Sequence, residues 1–322
     1  MNYFELLKRA ARIFWHTKAL WLLGILAGLF GQNEYGFSVN YSERIPASGS
    51  AQPDAPFADF LANPWVASFV ANPVPYLVAI GAVALIVWMI TTLIGWLMQG
   101  AMIDLAARVD LGVAPSLRAS LGRSRKHIGP LFLMRLVLAI PTMIVIVLAA
   151  LLVVPLLLAV FRTGTPDPSA IFPRLFGTLA CLIPLFLLNG LAGIVLTMLN
   201  VLAARACVLE DLTMRASLRR GWFLLRRNLG YTVLNWFVFL IIGAIFSFAA
   251  ALPALLLLIS AGQAFLHNEW TTWAMAAAIG LGVYFVVMSI GVGGILTSFN
   301  STVWTVLFQA FQRKEGGANA VG

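Results

Sequence analysis

Five long stretches of this chain carry almost no charge, and that leaves few folds open. Tyr76 to Ile103, Leu175 to Ala204, Asn228 to Leu266 and Trp270 to Gln312 contain no Asp, Glu, Lys or Arg, and Ile128 to Phe161 contains only Arg135. A helix crosses a hydrocarbon layer about 30 Å thick with roughly 20 apolar residues. Each stretch is ample for one crossing. Of the 322 residues 61% are hydrophobic and 10% charged, whereas a soluble domain carries about 25% charged residues. The expected fold is therefore all-α integral membrane, with residues 1–322 forming a single membrane domain.

A weaker sixth span covers Ala19 to Phe30, which is adequate only if Phe14 and Trp15 extend it and Lys18 reaches the interface. A cleaved signal peptide is the competing reading, because basic residues precede a short apolar run. No A-x-A site follows, however, and the basic stretch is itself amphipathic, which favours an uncleaved span. Six transmembrane helices are expected at about 19–34, 76–103, 130–161, 175–204, 230–260 and 271–309, with an external segment over 35–75. Trp270 to Gln312 would be about 64 Å long as one helix. A bend near Gly291-Val-Gly-Gly294 or an extension beyond the bilayer accounts for the excess; a tight hairpin there would instead put Arg313 and Lys314 outside.

Orientation follows from the basic residues. Of the 21 Lys and Arg, 18 fall in alternate connections or beside them, and only Arg44, Arg162 and Arg174 lie on the other side. By the positive-inside rule the crowded side is cytoplasmic, and both termini lie there. The asymmetry also accounts for the net charge of +9 without a nucleic-acid partner.

The two middle basic connections resemble each other. Leu105-Ala-Ala-Arg108 is followed by Arg118-Ala-Ser-Leu121, and Leu202-Ala-Ala-Arg205 at the same offset by Arg215-Ala-Ser-Leu218. This reads as a tandem duplication. Each copy holds a basic amphipathic helix: Leu117, Leu121 and Ile128 on one face against Arg118, Arg123, Arg125 and Lys126; then Met214, Leu218, Trp222 and Leu225 against Arg215, Arg219, Arg220, Arg226 and Arg227. Pro115 is expected in a first turn and Asp211 as an N-cap. Residues 1–18 supply a third such helix, with Leu6, Leu7, Ala10, Ile13 and Phe14 opposite Lys8, Arg9 and Arg12. The chain thus parses as three units, each a basic interfacial helix, an outward span and an inward span. Their direct repetition predicts a pseudo-threefold hairpin repeat.

The inward spans carry polar residues: Thr91, Thr92 and Gln99; Asn189, Thr197 and Asn200; and Thr297 to Thr305 with Asn300. Polar side chains are costly against lipid, so the second, fourth and sixth spans should lie inside. Helix glue is the plain role of these residues; a polar cavity lined by Gln99, Asn189, Asn200 and Asn300 is the sharper one. The external segment repeats Phe60-Leu-Ala-Asn-Pro64 as Phe69-Val-Ala-Asn-Pro73 and suits a broken interfacial helix, or a lid.

Little remains to carry a reaction. His16, His127 and His267 are dispersed, and no zinc, nucleophile-elbow, phosphate-loop or dinucleotide motif occurs. Cys181 and Cys207 have neither disulfide nor zinc spacing and read as packing residues. Asp104 is the one acid near a span, with Arg108 a turn away to pair with it. No enzyme, metal or cofactor is expected.

The Glu-Asp phrase at 210–211, the Arg-Ala-Ser-Leu repeats, the run Gly221-Trp-x-x-x-x-Arg-Arg-Asn-Leu-Gly230 and the basic helices feeding outward spans resemble one family. It is the six-span membrane domain attached to some bacterial glycerophosphodiester phosphodiesterases, with its stand-alone relatives. The hydrolase portion is absent, so no catalytic residue carries over. The resemblance implies a multi-pass protein of the bacterial cytoplasmic membrane. The expected role is a non-catalytic module whose Lys8, Arg9, Arg12, Arg118, Arg123, Arg125, Lys126, Arg215, Arg219, Arg220, Arg226 and Arg227 engage anionic phospholipid head groups or a membrane protein partner. The alternative is a transporter or permease for a small or lipid-like substrate, with its path between spans 2, 4 and 6.

Overall fold

The computed structural model describes residues 2–30, 73–162, 168–266, 279–284 and 287–319, and among them every regular element is helical. In chain order these are α1 (Tyr3–His16), α2 (Lys18–Leu29), α3 (Pro73–Asp110), α4 (Leu117–Arg162), α5 (Pro168–Leu209), α6 (Met214–Arg227), α7 (Leu229–Leu266), a π-helical turn (Met288–Val292) and α8 (Gly293–Asn319). Five helical stretches are long and apolar enough to cross a membrane: Val78–Asp110, Leu117–Pro155, Phe176–Leu209, Leu229–Pro253 and Ile290–Glu315. The apolar α2 has only 12 residues; residues 31–34 of the expected first span, most of the external segment and residues 271–278 lie outside the described residues.

Exposure separates the helices by role. In the most apolar window of α4 no residue is buried, whereas in that of α8 61% are. Side chains such as Val83, Ile86 and Trp88 on α3, Ile144 and Val147 on α4, Leu187 and Leu191 on α5 and Ile245 and Phe248 on α7 are more than half or close to half exposed. In water such a surface would aggregate. Against acyl chains it costs nothing, so this is a multi-pass helical membrane protein.

The core sits at one end of the bundle. Leu105 and Ala106 of α3, Val201 and Leu202 of α5 and Val303, Leu307 and Phe308 of α8 join Leu6, Ala10 and Ile13 of α1 and Leu20 and Leu23 of α2 in one buried cluster. Helices α3, α5 and α8, the inward spans of the sequence reading, touch one another there. Their opposite ends do not share this burial, since residues 81–90 of α3 and most of 183–192 of α5 are exposed. The expectation that inward spans lie inside thus holds at the basic end alone.

Each basic helix docks on one member of this trio: α1 on α8, the first turns of α4 on α3, and α6 on α5. The buried stripes have one spacing, i, i+4, i+7: Leu6, Ala10 and Ile13; Ser120, Ser124 and His127; Ser217, Gly221 and Leu224. The expected apolar face of α1 is buried at Leu6, Ala10, Ile13 and Phe14, and Leu225 of α6 is buried as well, whereas the rest need correction. Leu117, Leu121 and Ile128 are only partly buried, and Trp222 is 42% exposed. Small residues occupy the contact because the helices approach closely: a Cβ on Gly221 would lie 2.9 Å from the Ala203 backbone nitrogen, and one on Gly100 would lie against the Ser124 hydroxyl. Ser124 Oγ donates to the Leu97 carbonyl at 2.8 Å, so its hydroxyl loses nothing by burial.

Several caps also differ from expectation. Pro115 precedes α4, whose entry is capped by Ser116 Oγ accepting from the Ala119 amide at 3.4 Å. Thr213, not Asp211, is the N-cap of α6. Asp211 has φ 52°, the left-handed region that Asp tolerates better than most residues, and turns its carboxylate to His127 Nε2 at 2.9 Å. Cys207 is buried as expected for a packing residue, whereas Cys181 is exposed.

The contact of α2 against α8 is made backbone to backbone. Cβ atoms on Gly294 would lie 2.5 Å from Ile25 Cα, and on Gly28 3.2 Å from Gly294 Cα. Gly24-x-x-x-Gly28 therefore forms a small-residue seam of the kind that lets membrane helices meet backbone to backbone. The glycines near 291–294 serve a π-helical turn and this close approach at once. Arg313 beyond them meets Asp110 at 3.1 Å, and Arg9 of α1 pairs with the same carboxylate. The last helix therefore ends beside the first, which rules out the tight hairpin.

Candidate functional site

The basic end is knitted by carboxylates at the ends of the inward helices. Asp104, 2% exposed in its side chain, meets Arg108 at 2.9 Å and Arg123 at 3.0 Å. Asp110 ties Arg9 to Arg313, and Glu210 and Glu315 hold Arg220 at 3.3 and 2.6 Å. Gln312 donates to Glu210 at 2.6 Å. Arg9, Arg123 and Arg220, three of the twelve basic residues picked out in the sequence, are thus engaged within the fold. Tyr3 adds a neutral tie, its hydroxyl donating to Asn235 Oδ1 at 2.8 Å. Burial pushes this phenol up to about 12, so it keeps its proton at any ordinary pH.

The remaining nine, Lys8, Arg12, Arg118, Arg125, Lys126, Arg215, Arg219, Arg226 and Arg227, are exposed. Their densest grouping is on α6. There Arg219, Arg226 and Arg227 surround Trp222 and Phe223, which are 42% and 48% exposed. Arg226 stacks over the Trp222 ring at 5.3 Å. The opposite face of α6 is held by Ser217, Gly221 and Leu224 against α5, so this face points away from the protein.

A second feature lies deeper. Arg135 of α4, nine residues beyond Lys126 in one continuous helix, lies roughly 13 Å further along the axis. It lines a cavity of about 220 Å³ with Gln99 of α3, Thr142 of α4 and Thr197 and Asn200 of α5. Gln99 and Asn200 thus line one space, which they share with α4 and not with α8. Asn189 is not among the lining residues, three helical turns away on α5, and Asn300 is buried in α8, also away from the cavity. The sequence signal for Arg135 is its isolation in an otherwise uncharged run.

Two other polar groupings are structural. Arg205 has no exposed surface and donates to the Val201 carbonyl at 2.8 Å and to the Ser301 carbonyl at 3.0 Å. Cys207 Sγ lies 3.9 Å from His127 Nδ1, whose other nitrogen faces Asp211. This has the order of a nucleophilic triad with the accessibility reversed: the thiol is fully buried and the carboxylate exposed. Among the described residues no three His, Cys, Asp or Glu side chains converge as metal ligands would.

The model of DUF7544, a family of unknown function, matches residues 14–314. The chain belongs to this family. Neither the curated proteins nor the solved structures hold a match to it. The DUF7544 match takes in α6, the Arg135 cavity and the Gly24–Gly294 contact, whereas Lys8, Arg9 and Arg12 precede it. The matched residues contain two of the three basic helices together with α3, α5 and all but the last residues of α8.

Proposed function

We propose that this protein is a non-catalytic module of a bacterial cytoplasmic membrane that gathers anionic phospholipid at its basic face. The observation that carries the reading is the outward face of α6, where three exposed arginines alternate with exposed Trp222 and Phe223. Aromatic rings prefer the headgroup level, and juxtamembrane basic residues gain about 1 kcal/mol each near an anionic surface. Both preferences are met in one helix that feeds straight into the apolar α7.

The finer architecture belongs to the same proposal: six spans, both termini cytoplasmic, and three units related by duplication about an axis along the membrane normal. In its favour are the shared i, i+4, i+7 stripes and the cyclic docking of α1, α4 and α6 on α8, α3 and α5. The kinship with the membrane domain of glycerophosphodiester phosphodiesterases rests on the phrases at 210–211 and 221–230. A transport path between spans 2, 4 and 6 finds less support, since Leu105, Leu202 and Leu307 fill the junction of α3, α5 and α8.

The test is lipid enrichment. Protein extracted with its surrounding lipid from membranes of mixed phosphatidylglycerol and phosphatidylethanolamine should carry more phosphatidylglycerol than the bulk. The triple variant Arg219→Glu, Arg226→Glu, Arg227→Glu, which spares the Arg220 ion pairs, should lose at least about fivefold of that enrichment at low salt. The difference should shrink as salt rises. Equal lipid composition around both proteins would dispose of the proposal.

A further inference from the structure

We infer that the groove between α3, α4 and α5 binds the phosphate of one anionic phospholipid, with Arg135 as its counter-ion. A cation at hydrocarbon depth is costly and is retained where it faces a polar surface or a charged partner. Here the polar surface is built from three helices: Arg135, Gln99, Asn200, Thr142 and Thr197 converge on one space. Amides and hydroxyls can donate to the same oxygens that a guanidinium pairs with, which suits a ligand rich in acceptors.

Size and setting choose between an amphiphile and a free anion. The space is about 220 Å³, or roughly seven water volumes at about 30 Å³ each. That holds a headgroup and falls short of the 300 Å³ or so where drug-sized ligand pockets begin. All but Gln99 and Val201 of its lining residues are partly exposed, so the groove opens sideways between the helices. Away from the basic end the helix faces that form the groove continue into exposed Ile146 on α4 and, past half-buried Asn189, exposed Phe186 on α5. A phosphate seated at Arg135 would leave acyl chains lying along those residues. This site is separate from the α6 surface and stands or falls without it.

Gly193 provides a clean probe: it lines the groove, and a Cβ placed on it meets nothing within 4 Å. Delipidated full-length protein in detergent is titrated with phosphatidylglycerol, with phosphatidylcholine or with inorganic phosphate, and bound lipid is counted by native mass spectrometry. The wild type should retain one phosphatidylglycerol in preference to phosphatidylcholine. Arg135→Gln should weaken that retention at least tenfold, Arg135→Lys should keep part of it, and Gly193→Trp should block it by filling the space. The triple α6 variant should retain the tight site. Retention unchanged in both Arg135→Gln and Gly193→Trp would overturn the inference, as would equal retention of phosphatidylcholine. Displacement of the lipid by millimolar inorganic phosphate would make this a free-anion site and refute the lipid assignment.

Discussion

Replacing Gly294 by leucine should abolish the folded protein, and replacing it by alanine should lower its thermal midpoint in detergent by several degrees. The Cβ of either residue would fall 2.5 Å from Ile25 Cα and 2.8 Å from the Gly24 carbonyl oxygen. These are backbone atoms of a neighbouring helix, so relief requires moving α2 bodily away from α8. Overpacking of this kind costs about 1–3 kcal/mol for one methyl. The effect should be specific to position. Gly190 lies within α5 with nothing within 4 Å of its would-be Cβ, so Gly190→Ala should be neutral or stabilise by up to about 1 kcal/mol through helix propensity. Equal behaviour of the two alanine variants in a melting assay would show that the α2–α8 contact is not close-packed.

Arg205→Ala should be the most damaging single arginine substitution, ahead of any in the exposed basic set. Arg205 is the largest side chain with no exposed surface. Truncation opens a cavity at the junction of α5 and α8, where large-to-small changes cost on the order of 2–5 kcal/mol. The hydrogen bonds it gives up are backed by others: Ser301 also accepts from Thr305 Oγ at 2.8 Å, and the Val201 carbonyl lies inside a helix. Volume should therefore matter more than charge. Arg205→Met, which keeps most of the bulk and relieves a buried cation, should melt within about 1 kcal/mol of wild type, because buried charges are often replaceable by apolar residues of similar size. A methionine variant as unstable as the alanine one would show that the polar contacts carry the junction.

The contrast between these residues and those singled out from the sequence shows where pattern reading has force. Charge-free runs located the long helices because crossing a bilayer imposes a length and a composition on every one of them. The clustering of arginines at one end of the bundle was likewise written into their placement. The docking face of α1 was legible in Leu6, Ala10, Ile13 and Phe14, but those of α4 and α6 were not. Ser120, Ser124, Ser217 and Gly221 look like solvent-facing residues to any hydrophobic count, yet they are buried because only small side chains permit the approach. Their apolar neighbours Leu117, Leu121 and Trp222 are displaced to the flanks.

The cavity shows the same boundary. Gln99, Asn189, Asn200 and Asn300 were equal candidates by residue type, and helix register decides among them: two meet at Arg135, and two do not. Rotation and crossing depend on contacts between segments far apart in the chain, which no local spacing records. Leu105-Ala-Ala-Arg108 and Leu202-Ala-Ala-Arg205 make the point within one repeated phrase. Asp104 stands a turn before the first arginine and pairs with it; Val201 holds the same place before the second, which turns to Ser301 instead.

The docking of α1 and α2 on α8 has a consequence for biogenesis. Gly24 and Gly294 are roughly 270 residues apart, so at 5–20 residues per second the ribosome needs about 15–55 seconds to deliver the second after the first. Throughout that interval the twelve residues of α2 can pack on α3, made soon after them, while the side that carries Gly24 waits for α8. The Gly24–Gly294 seam is therefore the last part of this packing to close.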